Sequence, residues 1–381
     1  MRSHGLNLCP AAIVAVFLML AGICLVDQDK DEGFSFEATL LGPGEFTSIQ
    51  LDVPRDFFYE HGVELGDCMI LDFPEKQLKG YFIRDHSGIA TLDVYLNCYT
   101  DDQIVELGIY DYDIFSVIDY EYGSTVRITT TKEKADYYDR IPHYMAGYSD
   151  DRNDFESSVA YGNYREVTQG GFRDDRLYRS ASPMQPNGTR NIYCDQYLRD
   201  VGAGHIFSIS IDMEDVESYR YDGSYAFELY DQGKVIAKAL SPSILCHHDE
   251  VLFVMDTMLD TEGSIGPSCS QGKDRTGLYC AMLEALAGAS YQEIRDDYLL
   301  SMVYYYKIEP HSVEYDTVGS MVIDRIFYIF GNYDDFERTG NVDWSLMDID
   351  GYDAEEMVTG YLLHIGMDQD RLDLLKASLR G

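Results

Sequence analysis

Between residues 33 and 134, apolar and polar residues alternate in short runs that are separated by glycine and aspartate. The runs at residues 68–73, 79–84 and 125–130 have the period of two that is typical of strands with one buried face. Only residues 55–61 have helical spacing in this part of the chain. The pattern predicts a small β-rich N-terminal domain, folded as a barrel or a sandwich.

From residue 163 to residue 381, the apolar pattern changes to two kinds of longer run. Residues 189–201 and 276–287 repeat apolar positions at helical spacing, whereas residues 206–211 and 234–240 have the length and composition of buried strands. Strands that alternate with helices predict an α/β domain with a central, largely parallel sheet flanked by helices. We therefore expect a second domain over residues 163–381.

Polar residues mark the boundaries of these elements. Residues 135–162 are rich in Tyr and Asp and predict a connection between the two domains. Ser290 and Glu293 have the spacing of a capping box at the start of a further helix, and Asp353 and Glu356 have the same spacing before a helix near the C-terminus.

The first 26 residues follow a different pattern. Arg2 precedes an unbroken apolar run at residues 11–26, after which the chain becomes acidic. A run of this length is typical of a signal peptide, while a membrane span needs about 20 residues. We expect a signal peptide over residues 1–26 and a secreted or cell-envelope protein. An uncleaved membrane anchor that begins at Leu8 and a lipoprotein cleavage box at residues 21–24 are the alternatives. The abrupt change to charged residues argues against a buried N-terminal helix.

The overall charge restricts the partners of the protein. The chain has 29 basic and 67 acidic residues, which give a net charge of −38. So acidic a surface repels nucleic acid, and we expect no nucleic-acid partner. It also repels a phosphorylated substrate at long range, so a phosphate site must carry its own positive charge.

The sequence indicates neither a metal site nor a dense disulfide scaffold. Six of the eight cysteines lie beyond residue 26, at irregular spacing and without a Cys-x-x-Cys pair. The run at residues 246–249, Cys-His-His-Asp, lacks a second ligand pair at useful spacing. Residues 348–353 resemble part of a calcium loop but lack its final Glu. We expect no metal and no organic cofactor.

One loop carries the residues that phosphoryl transfer requires. Five residues separate Cys269 from Arg275, and a predicted helix follows at Thr276. Such a loop can curl around one phosphate with its N–H groups inward, and the helix N-terminus adds a positive dipole end that also favours a thiolate. Arg275 can bind two phosphoryl oxygens through its planar fork. The Thr276 hydroxyl can donate to the sulfur when it leaves, and Gly272 permits backbone geometry that a side chain would block.

This pattern predicts Cys269 as a nucleophile and Arg275 as the cation of the reaction. The predicted phosphate-binding residues are Ser270, Gln271, Gly272, Lys273, Thr276 and Gly277. A nucleotide-binding P-loop is excluded, because that motif has four residues between its glycines and Ser or Thr after its Lys. Here Gly266 and Gly272 enclose five residues, and Asp274 follows Lys273.

Two aspartates are candidates for the general acid that protonates the leaving oxygen. Asp274 lies inside the loop and is the first choice. Asp212 directly follows the strand predicted at residues 206–211 and is the second. The alternative for Asp274 is that it only orients the loop backbone. We expect Arg179 to brace the loop rather than to contact the substrate.

The sequence CSQGKDRTG at residues 269–277 closely resembles the loop Cys-x-x-Gly-Lys-Asp-Arg-Thr-Gly of the bacterial tyrosine phosphatase family. Further similar segments lie at residues 163–167, 177–183, 283–289 and 297–298. The resemblance implies a cysteine-phosphatase-like fold and a phosphocysteine intermediate. It also implies a functional role for Asp274 and a phosphorylated protein or a phosphoinositide as substrate.

The sequence departs from this family at two places. Ser268 stands where a His normally precedes the nucleophile and helps to orient the loop. Residues 263–267 contain two glycines and a proline and predict a poor strand, where the family has an apolar one. The second hypothesis is therefore a catalytically weak or inactive phosphatase-like protein of the cell envelope that binds phosphate.

Overall fold

The structure is a computed structural model, and it describes residues 33–44, 47–84, 89–97, 104–141, 145–340 and 342–380. The described residues fall into two compact units that meet in sequence between Asp139 and Arg140. The predicted signal peptide or anchor, residues 1–26, lies outside the described residues. None of the helices in the described part combines the length and the apolar character that crossing a membrane requires.

The first unit is a closed barrel. Its strands are β1 (Ser35–Pro43), β2 (Ile49–Pro54), β3 (Asp67–Asp72), β4 (Gln77–Ile83), β5 (Val94–Asn97), β6 (Ile104–Ile109) and β7 (Thr125–Lys134). They follow the order β1-β2-β6-β5-β4-β3-β7. The β4–β5 pair is parallel and the other neighbours are antiparallel. A short helix, α1 (Arg55–Glu60), follows β2 where the sequence predicts it.

The barrel is built by the alternation seen in the sequence. On β1, Phe36, Ala38 and Leu40 are buried and the residues between them are more exposed. Val126 and Ile128 on the neighbouring β7 are also buried. Every second side chain therefore points into the barrel, as a strand period of two requires. The sequence predicts a barrel or a sandwich, and the structure has the barrel.

The second unit is mixed α/β, as predicted. Its strands are β8 (Arg165–Glu166), β9 (Tyr178–Ala181), β10 (His205–Ser208), β11 (Val235–Ala237) and β12 (Ile265–Cys269). They form one sheet in the order β11-β10-β12-β9-β8. The pairs β10–β11, β10–β12 and β9–β12 are parallel, and β8–β9 is antiparallel.

The helices of this unit are α2 (Ser158–Gly162), α3 (Arg190–Val201), α4 (Tyr225–Asp231), α5 (His248–Asp260), α6 (Asp274–Leu286), α7 (Tyr291–Tyr306), α8 (Val313–Met321), α9 (Ile323–Gly331), α10 (Tyr333–Thr339), α11 (Ala354–His364) and α12 (Gln369–Leu379). The capping box at α7 is confirmed, because the Glu293 N–H donates to Ser290 Oγ and Glu293 accepts from the Ser290 N–H. Asp353 caps α11 by accepting from the Glu356 N–H at 3.0 Å.

The expectation of a poor strand at residues 263–267 is wrong. β12 begins at Ile265, all its residues are buried, and it lies between β10 and β9. A Cβ at Gly266 would lie only 3.0 Å from the Leu198 side chain, so the glycine lets α3 pack closely against this strand. Pairing on both sides and burial thus outweigh the weak strand preference of Gly266 and Pro267.

Candidate active site

Cys269 is the last residue of β12, so it lies at the carboxyl end of a strand with a neighbour on each side. It is 3% exposed. The chain then turns back, because the Gly272 N–H donates to the Cys269 carbonyl at 3.2 Å. Helix α6 begins at Asp274, two residues later. A buried cysteine, a tight loop and a helix N-terminus therefore follow one another as predicted.

One glycine of the loop and one in the first turn of α6 lie too close to their neighbours for a larger residue. Gly272 has φ +65°, and a Cβ there would lie 2.3 Å from the carbonyl carbon and oxygen of Ser180 on β9. Gly277 lies against Tyr298 of α7, where a Cβ would approach the ring to 2.9 Å. The first glycine lets the loop pack on the sheet, and the second lets α6 pack on α7.

The carbonyl groups of the loop are bound from outside the loop. Arg179 Nη2 donates to the Gly272 carbonyl at 3.0 Å. The Gln271 carbonyl accepts from Asn163 Nδ2 at 3.1 Å and from the Tyr305 hydroxyl at 2.9 Å. These bonds fix two successive peptides of the loop, and they confirm that Arg179 braces it.

A buried ion cluster supports these contacts. Arg165 Nε donates to Asp297 Oδ1 at 2.5 Å, and Arg179 Nη1 donates to the same carboxylate. Arg179 and Asp297 are almost completely buried. Burial alone would raise the pKa of Asp297, but Arg165 and Arg179 hold that pKa well below its usual value. Asp297 is therefore ionised, and it neutralises only one of the two arginines.

Arg275 connects the loop to the ends of two other strands. Its Nη1 donates to the carbonyl groups of Ile209 at 3.1 Å and of Leu240 at 3.0 Å. Both acceptors lie beyond β10 and β11, which are shorter than the runs predicted at residues 206–211 and 234–240. Among the described residues, Nε and Nη2 have no hydrogen-bond partner. One edge of the guanidinium is thus anchored, and the other edge has the geometry to bind two phosphoryl oxygens.

Lys273 points its ammonium group at an aromatic side chain of α7. Nζ donates to the Tyr306 hydroxyl at 2.8 Å and lies 3.6 Å from Asp274 Oδ1. Burial alone would lower the pKa of Lys273, but Asp274 and Tyr306 raise it above its usual value, so the group stays charged. The predicted contact of Lys273 with substrate phosphate stays a prediction.

Both general-acid candidates are exposed. Asp274, at the start of α6, has a side chain that is 56% exposed. Asp212 lies in the loop after β10, and its Oδ1 accepts from the Ala239 N–H at 3.0 Å. Asp212 therefore makes a structural contact between the loops after β10 and β11. In the described part of the chain, the Asp274 side chain has one ion pair, with its neighbour Lys273. The assignment between the two stays a prediction.

The hydroxyl groups near the nucleophile are buried. Thr276 Oγ1 and Ser268 Oγ have no hydrogen-bond partner among the described residues. Ser268 is in register with Ser180 on β9 and Ser208 on β10, whose hydroxyls are also buried and unpartnered. Within the described part of the chain, the Ser268 side chain thus makes no hydrogen bond that could orient the loop as the family histidine is expected to do.

The remaining loop residues, Ser270 and Gln271, lie on its outer side. Ser270 is exposed, and its carbonyl is 3.5 Å from Asn187 Nδ2. The Gln271 side chain donates to the Tyr148 hydroxyl at 2.8 Å. Tyr148 stands in the segment that the sequence predicts as a connection.

Sequence reasoning missed most of the groups that hold the loop. Asn163, Arg165 and Asp297 lie in segments with family resemblance, but nothing in their spacing indicates that they meet. The one available signal is Glu284, a charged residue inside the apolar run at residues 276–287. It is fully buried beside this cluster.

The site consists of a buried cysteine at the end of a strand, a tight loop and a helix N-terminus. The comparisons with known proteins give the class and the family. The sequence profile of the tyrosine phosphatase family matches residues 160–381. The chain belongs to this family and is a phosphoric monoester hydrolase. No curated protein sequence matches the chain.

Two solved structures share low similarity with the chain. One is the core catalytic domain of the PP-IP phosphatase SIW14 from S. cerevisiae in complex with citrate, at 16% identity and a TM-score of 0.26, over 45% of this chain and 96% of that one. The other is an uncharacterized conserved protein from Thermotoga maritima, at 13% identity and a TM-score of 0.25. That match covers 28% of this chain and spans 39% of the Thermotoga protein.

Proposed function

We propose that this phosphatase hydrolyses phosphate monoesters through a phosphocysteine on Cys269. The observation that carries the proposal is the position of this cysteine. It is buried at the carboxyl end of β12, and the loop after it leads directly into α6. The parallel pairs of β12 with β10 and β9 support a central parallel sheet of the cysteine-phosphatase type beneath the site.

The reaction proceeds in two steps. The Cys269 thiolate attacks phosphorus, an S–P bond forms, and the P–O bond to the leaving group breaks. The leaving oxygen takes a proton from the general acid, for which Asp274 is the first choice and Asp212 the second. Water then attacks phosphorus and gives a proton to the carboxylate of the general acid, the S–P bond breaks with its electron pair returning to the Cys269 thiolate, and inorganic phosphate leaves. The buried Thr276 hydroxyl, which has no hydrogen-bond partner in the part of the chain that the structure describes, can donate to the departing sulfur.

Charge in the transition state is balanced locally. Lys273 and Arg275 are the only Lys or Arg residues between Lys238 and Arg295, in a chain of net charge −38. Arg275 presents Nε and Nη2 to the equatorial oxygens, while Nη1 keeps the guanidinium in place. The N-terminal end of α6 adds a positive dipole end.

The proposed substrates are phosphotyrosine in proteins, phosphoinositides, or both. We also propose that the protein acts outside the cytoplasm, secreted or held at the cell envelope, because residues 1–26 have the pattern of a signal peptide or anchor. The rival proposal is a phosphate-binding protein of the envelope with little or no turnover. Ser268 stands at the position of the family histidine, and its hydroxyl forms no hydrogen bond with any residue that the structure describes, which supports that rival.

Turnover of a small aryl phosphate in the presence of a chelator decides between the two. An enzyme releases inorganic phosphate from the aryl phosphate, whereas a binding protein only binds the aryl phosphate and leaves it intact. Cys269→Ser should abolish release and leave the unfolding transition unchanged, because an alcohol stays protonated near neutral pH and is a poor nucleophile. Release at the parent rate by Cys269→Ser would refute the mechanism.

A further inference from the structure

Glu284 is a buried acid that the proposed reaction does not use. It lies on α6, it is 0% exposed, and neither carboxyl oxygen has a hydrogen-bond donor among the described residues. An ionised carboxylate without donors in such a place is strongly unfavourable. The group must therefore be neutral or compensated by its neighbours.

The neighbours of Glu284 are the ion cluster that holds the phosphate loop. Asp297, Arg179 and Arg165 are the charged groups that act on it, and Cys280 on the same helix is its other titratable neighbour. Arg380, which pairs with Glu355, binds the Leu286 carbonyl at the end of α6 rather than the Glu284 carboxyl.

The two arginines are already bonded to another carboxylate. Arg165 and Arg179 both donate to Asp297, which leaves Glu284 and Asp297 as adjacent carboxyl groups. Two carboxylates offer no donor to one another, but one proton turns their contact into a hydrogen bond. Burial, followed by the charge of Asp297, raises the pKa of Glu284 well above its usual value, so the proton belongs on Glu284.

We propose that Glu284 carries a proton that it donates to Asp297, and that this keeps a net positive charge beneath the phosphate loop and holds the loop in its binding conformation. Two guanidinium groups and one carboxylate leave one positive charge among these four residues. The proposal rests on the proposed function for its consequence in catalysis, but not for the position of the proton.

The cluster reaches the loop by two routes. Arg179 donates directly to the Gly272 carbonyl. Arg165 Nη1 donates to Asn163 Oδ1 at 3.0 Å, and Asn163 Nδ2 donates to the Gln271 carbonyl. In a trans peptide the N–H points opposite to the carbonyl, so these bonds orient two N–H groups of the loop. The Gly272 N–H donates to the Cys269 carbonyl and closes the turn, and the Lys273 N–H points away from the cluster. Glu284 itself touches neither the substrate nor the reacting atoms, and it is a positioning residue.

Ionisation of Glu284 would weaken the hydrogen bonds that connect Arg165 and Arg179 to the loop. A second carboxylate would compete with Asp297 and with the loop carbonyls for Arg165 and Arg179. It would also cancel the remaining positive charge close to an anionic substrate. The neutral acid avoids both effects, and it fills the same volume in α6.

The first test measures stability against pH for Glu284→Gln and the parent, by urea unfolding of the full chain. A raised pKa in the folded state gives stability that is complete below the usual range of Glu and is lost as pH rises towards the raised value. Glutamine cannot ionise, so the unfolding midpoint of Glu284→Gln should rise relative to the parent as pH increases above about 4.3.

Glu293→Gln is the matched control. Its carboxylate accepts from Ser290, which lowers the pKa of Glu293. The same substitution there should shift the midpoint in the opposite direction as pH rises. A difference between Glu284→Gln and the parent that stays constant with pH, or that follows Glu293→Gln, would overturn the proposal.

The second test asks whether the proton supports the loop. In Asp297→Asn, Glu284 is the only carboxyl left to neutralise the arginines, so it should lose its proton. Glu284→Gln should then lower the affinity for inorganic phosphate by at least about tenfold in the Asp297→Asn background, but by less than about threefold in the parent. Equal effects in both backgrounds would overturn the positioning role. Neither test needs turnover, so a chain that fails to release phosphate refutes the proposed function and leaves these results valid.

Discussion

At the scale of the residue, Arg275 uses one part of its guanidinium group to bind backbone carbonyls, and we propose that it binds phosphate with another. Nη1 binds the carbonyls of Ile209 and Leu240, and the opposite edge presents Nε and Nη2. A lysine has one nitrogen and cannot serve both edges. The proposed role of Arg275 therefore requires an arginine for its geometry as well as for its charge.

We predict that Arg275→Lys lowers kcat/KM on a small aryl phosphate by at least about 100-fold, because one preorganised group that stabilises the transition state is lost. Steady-state kinetics measures the effect. Arg220→Lys is the control, since Arg220 forms surface ion pairs with Glu217 and Asp231. Near-parental rates for Arg275→Lys would show that Arg275 does not clamp the phosphate.

The two general-acid candidates differ in their contacts, and this separates their variants. Asp274→Asn should lower kcat by at least about 100-fold on an ester with a poor leaving group, and much less on one with a good leaving group. Asp212→Asn should have a small effect on both, because Asp212 bonds to the Ala239 N–H. The rate ratio between the two esters is the measurement. The reverse result would assign the proton to Asp212.

At the scale of the element, the loop between β12 and α6 depends on close approach to β9. Gly272→Ala would place its Cβ 2.3 Å from the Ser180 backbone at a φ of +65°. We predict a loss of unfolding free energy of at least about 2 kcal/mol together with a large loss of turnover. Urea unfolding and the aryl phosphate assay measure the two effects.

Gly233→Ala is the matched control for this change. Gly233 has φ +72°, and a Cβ there meets no atom within 4 Å. The Gly233→Ala variant therefore has the backbone strain of an alanine at positive φ without a steric clash. We expect it to lose about 1 kcal/mol of unfolding free energy. An equal loss in both variants would mean that the loop does not pack on β9 as described.

At the scale of the whole molecule, the strong negative charge makes the site dependent on a few local cations. The net positive charge that we propose for the buried ion cluster contributes to this local positive charge, together with Arg275 and the N-terminal end of α6. A charge of −38 also favours solubility, which is compatible with the proposed location outside the cytoplasm.

We predict that most of the untagged protein lies outside the cytoplasm, because residues 11–26 form an apolar run of the length of a signal-peptide core. Cell fractionation with antibody detection measures this, and deletion of residues 1–26 should return the protein to the cytosol. A wholly cytosolic full-length chain would contradict the prediction.

The sequence by itself determined the features that depend on local pattern. Alternation with a period of two indicated a β-rich domain and predicted β3, β4 and β7 of the barrel, and helical spacing predicted α3 and α6. The capping box predicted the start of α7. The segment from Cys269 to Arg275 predicted the candidate site, since the proposed phosphate loop is made by consecutive residues. Each of these patterns is contained in a short stretch of consecutive residues, so it can be recognised without knowledge of the tertiary structure.

Only the tertiary structure decided the features that depend on distant residues. β12 forms despite Gly266 and Pro267, because neighbours on both sides and the packing of Leu198 stabilise it. The contact of Glu284 with Asp297 joins two helices, and the arginines beside it come from β8 and β9. The spacing of residues along the sequence does not predict these contacts. Burial and charge become defined only when the sheet and the helices pack, and that packing sets the ionisation state beneath the loop.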